Sequence, residues 1–303
     1  MSAPPTNVKN PQLGSQSLPG HQEHMPTQPC NVCLPAEPSF TTAVAYKPAK
    51  KLEGKVVLIS GGDSGIGRAT AILCALEGAA IVINYKSEDK DAEGTLTAIR
   101  THCGPDHPCE AHKIDISNEK EARECVERTV AKYGRINILF NNAGVNVGPV
   151  EDVLDVESEG WLKTFDVNIH GLYFLTKAAI PHMKPGASII NNASVSAFIG
   201  SGAHIDDAST KGAIIAFTRS LSTQILQKRG IRVNAIAPGS ILTPLIETSL
   251  TEEQKKGFGK GTPMGRPGQP SEVASCVVFL ASPDSSYISG STLHPNGGEP
   301  TNA

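Results

Sequence analysis

Three side chains in one segment could together move a proton: the hydroxyl of Ser194, the carboxylate of Asp207 and the ammonium of Lys211. Residues four apart on a helix share a face, so Lys211 should lie beside Asp207 and favour its charged form. An exposed aspartate ionises near pH 3.9, so acid work around pH 7 needs a rise of roughly 3 units, about 4 kcal/mol. The pair therefore suits a general base, a binder of a cationic group or a plain ion pair better than a direct acid. Histidine as a residue type can carry protons near neutrality, so His204 is either a surrogate proton carrier or a solvated loop residue.

These groups need a scaffold. Ser194 follows a strand expected over residues 187–191, at the carboxyl end, where ligands bind to parallel α/β sheets. A helix patterned by Ile214, Ile215, Phe217, Leu221 and Ile225 is expected to follow Asp207 and to end near Gly230. Upstream, Val56-Val57-Leu58-Ile59 reads as a buried strand, and Ser60-Gly61-Gly62-Asp63-Ser64-Gly65-Ile66-Gly67 as a glycine turn opening a helix over residues 65–76. Glycines there permit a tight turn and close approach to a pyrophosphate, and the helix start offers N–H groups and positive dipole. Further strands are expected over 80–85, before Asp115, over 136–140 and over 231–236, with a helix over 118–133. Apolar runs alternating with amphipathic stretches are the pattern of βαβ units. The last strand and packing segment are expected over 288–298, and residues 244–262, polar and glycine-rich, read as a mobile substrate lid.

Of the 303 residues, 39% are hydrophobic and 19% charged, enough for one full α/β core, and the formal charge of -3 with no basic run gives no footprint for nucleic acid. No apolar run is long enough to span a membrane and no signal segment opens the chain, so no membrane association and a cytoplasmic location are expected. Residues 1–50, rich in Pro, Gln, Ser and Thr, read as an extended or disordered arm. The seven cysteines suit scattered reduced thiols better than a disulfide framework. Cys30 and Cys33 lack the second ligand pair a zinc site requires, the loop from His102 to Cys109 would have to supply four ligands of good geometry from one irregular turn-rich stretch, and no metal is expected.

The glycine turn, Asn141-Asn142-Ala143-Gly144, Phe165-Asp166-Val167-Asn168, the Ser194…Lys211 segment and Pro238-Gly239-Ser240-Ile241-Leu242-Thr243 occur in an order that resembles the short-chain dehydrogenase/reductase family. The resemblance covers about 250 residues. It implies an α/β fold with a single Rossmann-type, doubly wound parallel sheet of order 3-2-1-4-5-6-7 over residues 51–303, preceded by an irregular N-terminal arm. It implies catalytic roles for Ser194, Lys211 and Asn168, with Asp207 where the family has its proton-donating tyrosine. Cofactor contacts are implied for Gly61, Asp63, Ser64, Gly65, Ile66, Gly67, Asn84, Tyr85, Lys86, Asp115, Ile116, Asn142, Ala143, Gly144, Lys211, Pro238, Gly239, Ile241 and Thr243. Asn84, Tyr85 and Lys86 stand where an acid would grip an unphosphorylated ribose, which favours NADP(H) over the alternative NAD(H). The expected function is oxidation or reduction of a small-molecule carbonyl, alcohol or imine with an unusual proton relay. The alternatives are a non-redox cyclase, isomerase or lyase using Asp207, and a catalytically silent nucleotide-binding subunit. The segment from Leu18 to Pro26 resembles an arm that lies over the fold in one branch of the family, and a homo-oligomer, tetramer or dimer, is implied.

Overall fold

The computed structural model describes residues 10–18, 20–39 and 42–301; residues 1–9, Pro19, Phe40 and Thr41 of the expected arm lie outside them. The arm carries a 3-10 turn at Gln22–His24 and an antiparallel hairpin of Cys33–Pro35 (β1) with Ala43–Ala45 (β2). One cysteine expectation is corrected here. Cys30 and Cys33 form a disulfide, their Cα atoms brought to 5.9 Å by the tight turn between them, while the other five cysteines are free.

Short aliphatic runs then form strands because helices cover both of their faces. The elements are β3 (Val56–Ser60), α1 (Gly65–Leu76), β4 (Ala80–Tyr85), α2 (Asp89–Cys103), β5 (Cys109–Lys113), α3 (Glu119–Tyr133) and β6 (Ile138–Asn141). There follow α4 (Ser158–Phe165), α5 (Leu172–Ala179), β7 (Ser188–Asn192), α6 (Ser196–Ile199), α7 (Ile205–Arg229) and β8 (Arg232–Ile236). The chain closes with α8 (Pro244–Ser249), α9 (Glu252–Gly257), α10 (Pro270–Ala281) and β9 (Thr292–Leu293). Seven parallel strands lie in the order β5-β4-β3-β6-β7-β8-β9, the expected 3-2-1-4-5-6-7 sheet. Ile59, Ile72, Val273 and Val277 belong to the core on one face, and Leu58, Leu139, Leu175 and Val233 to the core on the other.

Three local features depart from the sequence reading, and all bear on the site. Helix α7 starts at Ile205, so Asp206 and Asp207 occupy its first turn, where acidic side chains meet the positive end of the helix dipole. Between α4 and α5 the chain makes a π-helical turn over Asp166–Gly171, a widening that occurs often at functional sites. The polar stretch expected to be a mobile lid carries α8 and α9, and Pro244, Glu247 and Ser249 are buried. Among the described residues no helix is long and apolar enough to cross a membrane.

Candidate active site

The glycine turn leaves β3 in a conformation that few other residues adopt. Gly61 and Gly65 have φ of 61° and 53°. A Cβ on Gly67 would stand 1.9 Å from the Gly61 carbonyl oxygen, so the turn closes only with glycine there. Ser60 Oγ accepts from the N–H groups of Asn142 (3.0 Å) and Ala143 (3.1 Å), and Asn142 Nδ2 donates to Gly61 O at 2.8 Å. The Asn141–Gly144 segment at the end of β6 is thereby clamped to the turn. The loop after β8 reaches the same place: Val195 N donates to Pro238 O at 2.9 Å, Ile241 is buried, and a Cβ on Gly65 would meet Thr243 Cγ2 at 3.1 Å. Gly239 lies against the backbone of Asn296, where a Cβ would come within 2.9 Å of the Asn296 Cα.

The polar groups left over fit a dinucleotide. Ser64 holds the position before α1 without a side-chain capping bond, so its hydroxyl is uncommitted at a helix start that favours anions. Lys211, buried, spends one donor on Asn192 O at 3.3 Å, while Asn192 Oδ1 is buried with no partner among the described residues. A free ammonium donor beside an orphaned acceptor suits a sugar hydroxyl, which both donates and accepts.

Residues expected at the adenosine end are placed less simply. Asn84 is buried, and its Nδ2 donates to Ile114 O (2.8 Å) and His112 O (3.3 Å), tying β4 to the exit of β5. Tyr85 donates its hydroxyl to Asp89 at 2.8 Å, and burial followed by that bond pushes the phenol up to about 12. Lys86, the cation expected to ease a 2′-phosphate, is paired with Asp115 at 2.6 Å. Burial acts to raise the Asp115 carboxyl, but Lys86 and Ser117 hold it below the usual range. Ile116 is buried next to it.

Asp63 lies in the turn itself, 9% exposed, and burial pushes its carboxyl up to about 6, with Glu88 and Asp91 adding to the rise. The folded protein therefore holds this proton more tightly than the unfolded chain. Asp63 favours folding most below pH 4, and that contribution is lost as pH rises through about 6. Asp63→Asn is expected to stabilise the protein at pH 7–8 by up to about 3 kcal/mol and to flatten its stability between pH 4 and 6. Urea unfolding across that range checks it.

The catalytic candidates gather around α7. Asn168, in the π-helical turn, accepts from Val145 N through Oδ1 at 2.8 Å. Its Nδ2 donates to Val145 O (3.0 Å), Thr210 Oγ1 (3.0 Å) and, at 3.4 Å, Asp207 Oδ1. A Cβ on Gly144 would meet Lys211 Nζ at 3.4 Å and Asn168 Oδ1 at 3.5 Å, so these groups converge on one small space. Ser194 Oγ accepts from Ser196 N at 3.1 Å, which leaves its O–H to donate. Residues Ala193, Ala197 and Phe198 pack with Ile214 and Ile215, seating the Ser194 segment on α7. His204 precedes α7, and its Nδ1 is buried without a partner among the described residues.

Asp207 is half-buried, and its carboxyl is raised above the ordinary aspartate range. Burial is the largest cause; Lys211 opposes it, Asp206 adds to it and His204 opposes it. The expectation that Lys211 decides this protonation is corrected: desolvation of the carboxylate outweighs the neighbouring cation.

Sequence reasoning missed Asp206, 1% exposed, whose Oδ2 accepts from Thr164 Oγ1 (2.7 Å) and Val147 N (3.2 Å) and so holds the 145–150 loop over the site. The pair of acids in a helix's first turn was a usable signal. Glu247, buried in α8, accepts from Gly14 N (3.0 Å) and Gln16 Nε2 (2.7 Å) of the arm, and no local pattern announces contacts across so much chain. Asn146 Nδ2 donates to Ser249 Oγ at 2.9 Å, closing the other side of the lid. Among the described residues no three His, Cys, Asp or Glu side chains gather as metal ligands.

Known proteins bear on this geometry. Residues 61–299 match the family described as Enoyl-(Acyl carrier protein) reductase. The chain is 49% identical over 253 residues to general stress protein 39 of Bacillus subtilis, covering 84% of this chain and 87% of that one. It is 44% identical to NADPH-dependent aldehyde reductase 1, chloroplastic, of Arabidopsis thaliana, covering 89% of this chain and 94% of that one. A solved 3-ketoacyl-(acyl-carrier-protein) reductase from Brucella melitensis, complexed with NADH, superposes with a TM-score of 0.73 at 33% identity, over 82% of this chain and 98% of that one.

Proposed function

This chain belongs to the short-chain dehydrogenase/reductase family, and we propose that within it the protein exchanges hydride with a small-molecule carbonyl, alcohol or imine using Asp207 at the position where the family resemblance implies a tyrosine. The observation that carries this is Asp207 itself: a half-buried carboxyl with a raised proton affinity, next to Asn168 and one helical turn from Lys211. NADP(H) is the favoured cofactor and NAD(H) the alternative. The lack of an acid at the end of β4 and the NADPH-dependent relative support the first; the Lys86–Asp115 pair and the NADH-complexed relative support the second. Residues 51–303 make the catalytic unit, with residues 1–50 as its arm. Exposed Leu162 and Tyr173 on α4 and α5 support a homo-oligomer, tetramer or dimer.

When bound, the dinucleotide supplies or accepts the hydride. Ser194 donates its hydroxyl to the substrate oxygen. Asp207 gives that oxygen, or the nitrogen of an imine, its proton during reduction and takes it back during oxidation, and its raised proton affinity favours the donor form. Lys211 moderates that affinity from one turn away and donates to the sugar. Asn168, with its amide bonded to Val145 and Thr210, positions Asp207 and the loop.

The test is a panel of small aldehydes, ketones, cyclic imines and sugars, each with reduced dinucleotide. Loss of reduced-nicotinamide absorbance in step with product supports the reading. Product formed with no net change in the cofactor contradicts it and favours a non-redox catalyst.

A further inference from the structure

On its path across the molecule the arm meets the glycine turn at Gln22. Gln22 is 2% exposed, its Oε1 accepts from Gly65 N at 2.9 Å, and its own N–H donates to Asp91 Oδ2 at 3.0 Å. Asp91 is fixed in turn by Arg68 at 3.0 Å. Gly20, two residues earlier, fits so tightly against α8 that a Cβ would stand 2.7 Å from Pro244 O. The arm is thus wedged where the start of α1, the Thr243 end of the cofactor loop and the lid meet.

One group of Gln22 has no partner in the fold. Its amide NH2 meets no acceptor among the described residues although the residue is almost wholly buried, and the carbonyl bond to Gly65 holds that NH2 at the mouth of the turn. Unlike Asn192 Oδ1, that NH2 is not sealed from solvent, so an incoming ligand can reach it. Gly65 N is also the first N–H of α1, and Gln22 takes the capping task that Ser64 leaves undone. Ser64 Oγ is thereby kept for an anion.

We propose that Gln22 is a dinucleotide-binding residue supplied by the N-terminal arm, its NH2 donating to a phosphate oxygen while its carbonyl holds the start of α1. The inference rests on the reading above that a dinucleotide occupies the glycine turn. The arm is then part of the cofactor site rather than a tail beside it.

Calorimetric titration of the full chain with NADPH and with NADH tests this in wild type, Gln22→Ala and Gln22→Glu, together with the unfolding midpoint of each without ligand. Gln22→Ala is expected to raise Kd about tenfold, the worth of about 1.4 kcal/mol. Gln22→Glu keeps an acceptor for Gly65 N–H but sets an anion beside Asp91 and the phosphates, so its Kd rises further than that of Gln22→Ala. A purely structural role predicts the opposite order of Kd, because glutamate retains the bond to Gly65 that alanine loses. The proposal is overturned by wild-type binding accompanied by a Gln22→Ala Kd within twofold of it, or by wild-type affinity in Gln22→Glu. A wild type that binds neither dinucleotide overturns the cofactor reading and this proposal with it.

Discussion

Asp207→Asn is expected to lower kcat for carbonyl reduction by about 10²–10⁴, the usual worth of a positioned proton donor, with little change in dinucleotide Kd. The amide is nearly the same size and can still receive the 3.4 Å contact from Asn168 Nδ2, so the loss isolates the proton. The pH profile sharpens the test. The protonated carboxyl is the donor, so the wild-type reduction rate is level at low pH and falls as pH rises through the Asp207 pKa. Burial places that fall above the range of an ordinary aspartate. Asp207→Asn should remove this limb. A variant with unchanged kcat, or one that keeps the limb, assigns the proton to another group, with His204 and its unpartnered Nδ1 the nearest alternative.

Lys211→Met is expected to change two quantities at once. The lysine pulls the Asp207 proton affinity down, so its removal raises that affinity and moves the fall in reduction rate to higher pH. It also removes the ammonium donor beside the orphaned Asn192 Oδ1, and dinucleotide Kd should rise about 10–100-fold, the loss of one charge-assisted hydrogen bond. Kd is read by calorimetry and the limb by initial rates between pH 5 and 9. A limb that moves to lower pH would mean that Lys211 does not act on Asp207.

How far these residues could be foreseen depends on the range of the forces that place them. Continuous aliphatic runs flanked by turn residues mark β3 and β4, and the glycine turn marks α1, because strand burial and positive φ are written in neighbouring residues. The sheet order comes from the family resemblance, and the seven parallel strands bear it out. The proton affinity of Asp207 did not follow. Lys211 is visible four residues away, whereas the burial that outweighs it is a tertiary effect, in which Asn168 of the π-helical turn comes to 3.4 Å. The pairing of Lys86 is not visible beside it in the sequence, because its partner Asp115 is on the next strand exit. The arm had no period to read, since Gln22, Gln16 and Cys30 are placed by Gly65, Glu247 and Gln269, far along the chain.

The most direct measurement of the central claim uses reduced dinucleotide deuterated at the transferring position of the nicotinamide, with whichever carbonyl or imine substrate turns over, in wild type and Asp207→Asn. The account predicts one deuterium on the former carbonyl or imine carbon of the product, one oxidised dinucleotide per product, and a slow version of the same transfer in Asp207→Asn. Product that carries no deuterium and leaves the dinucleotide reduced would contradict it.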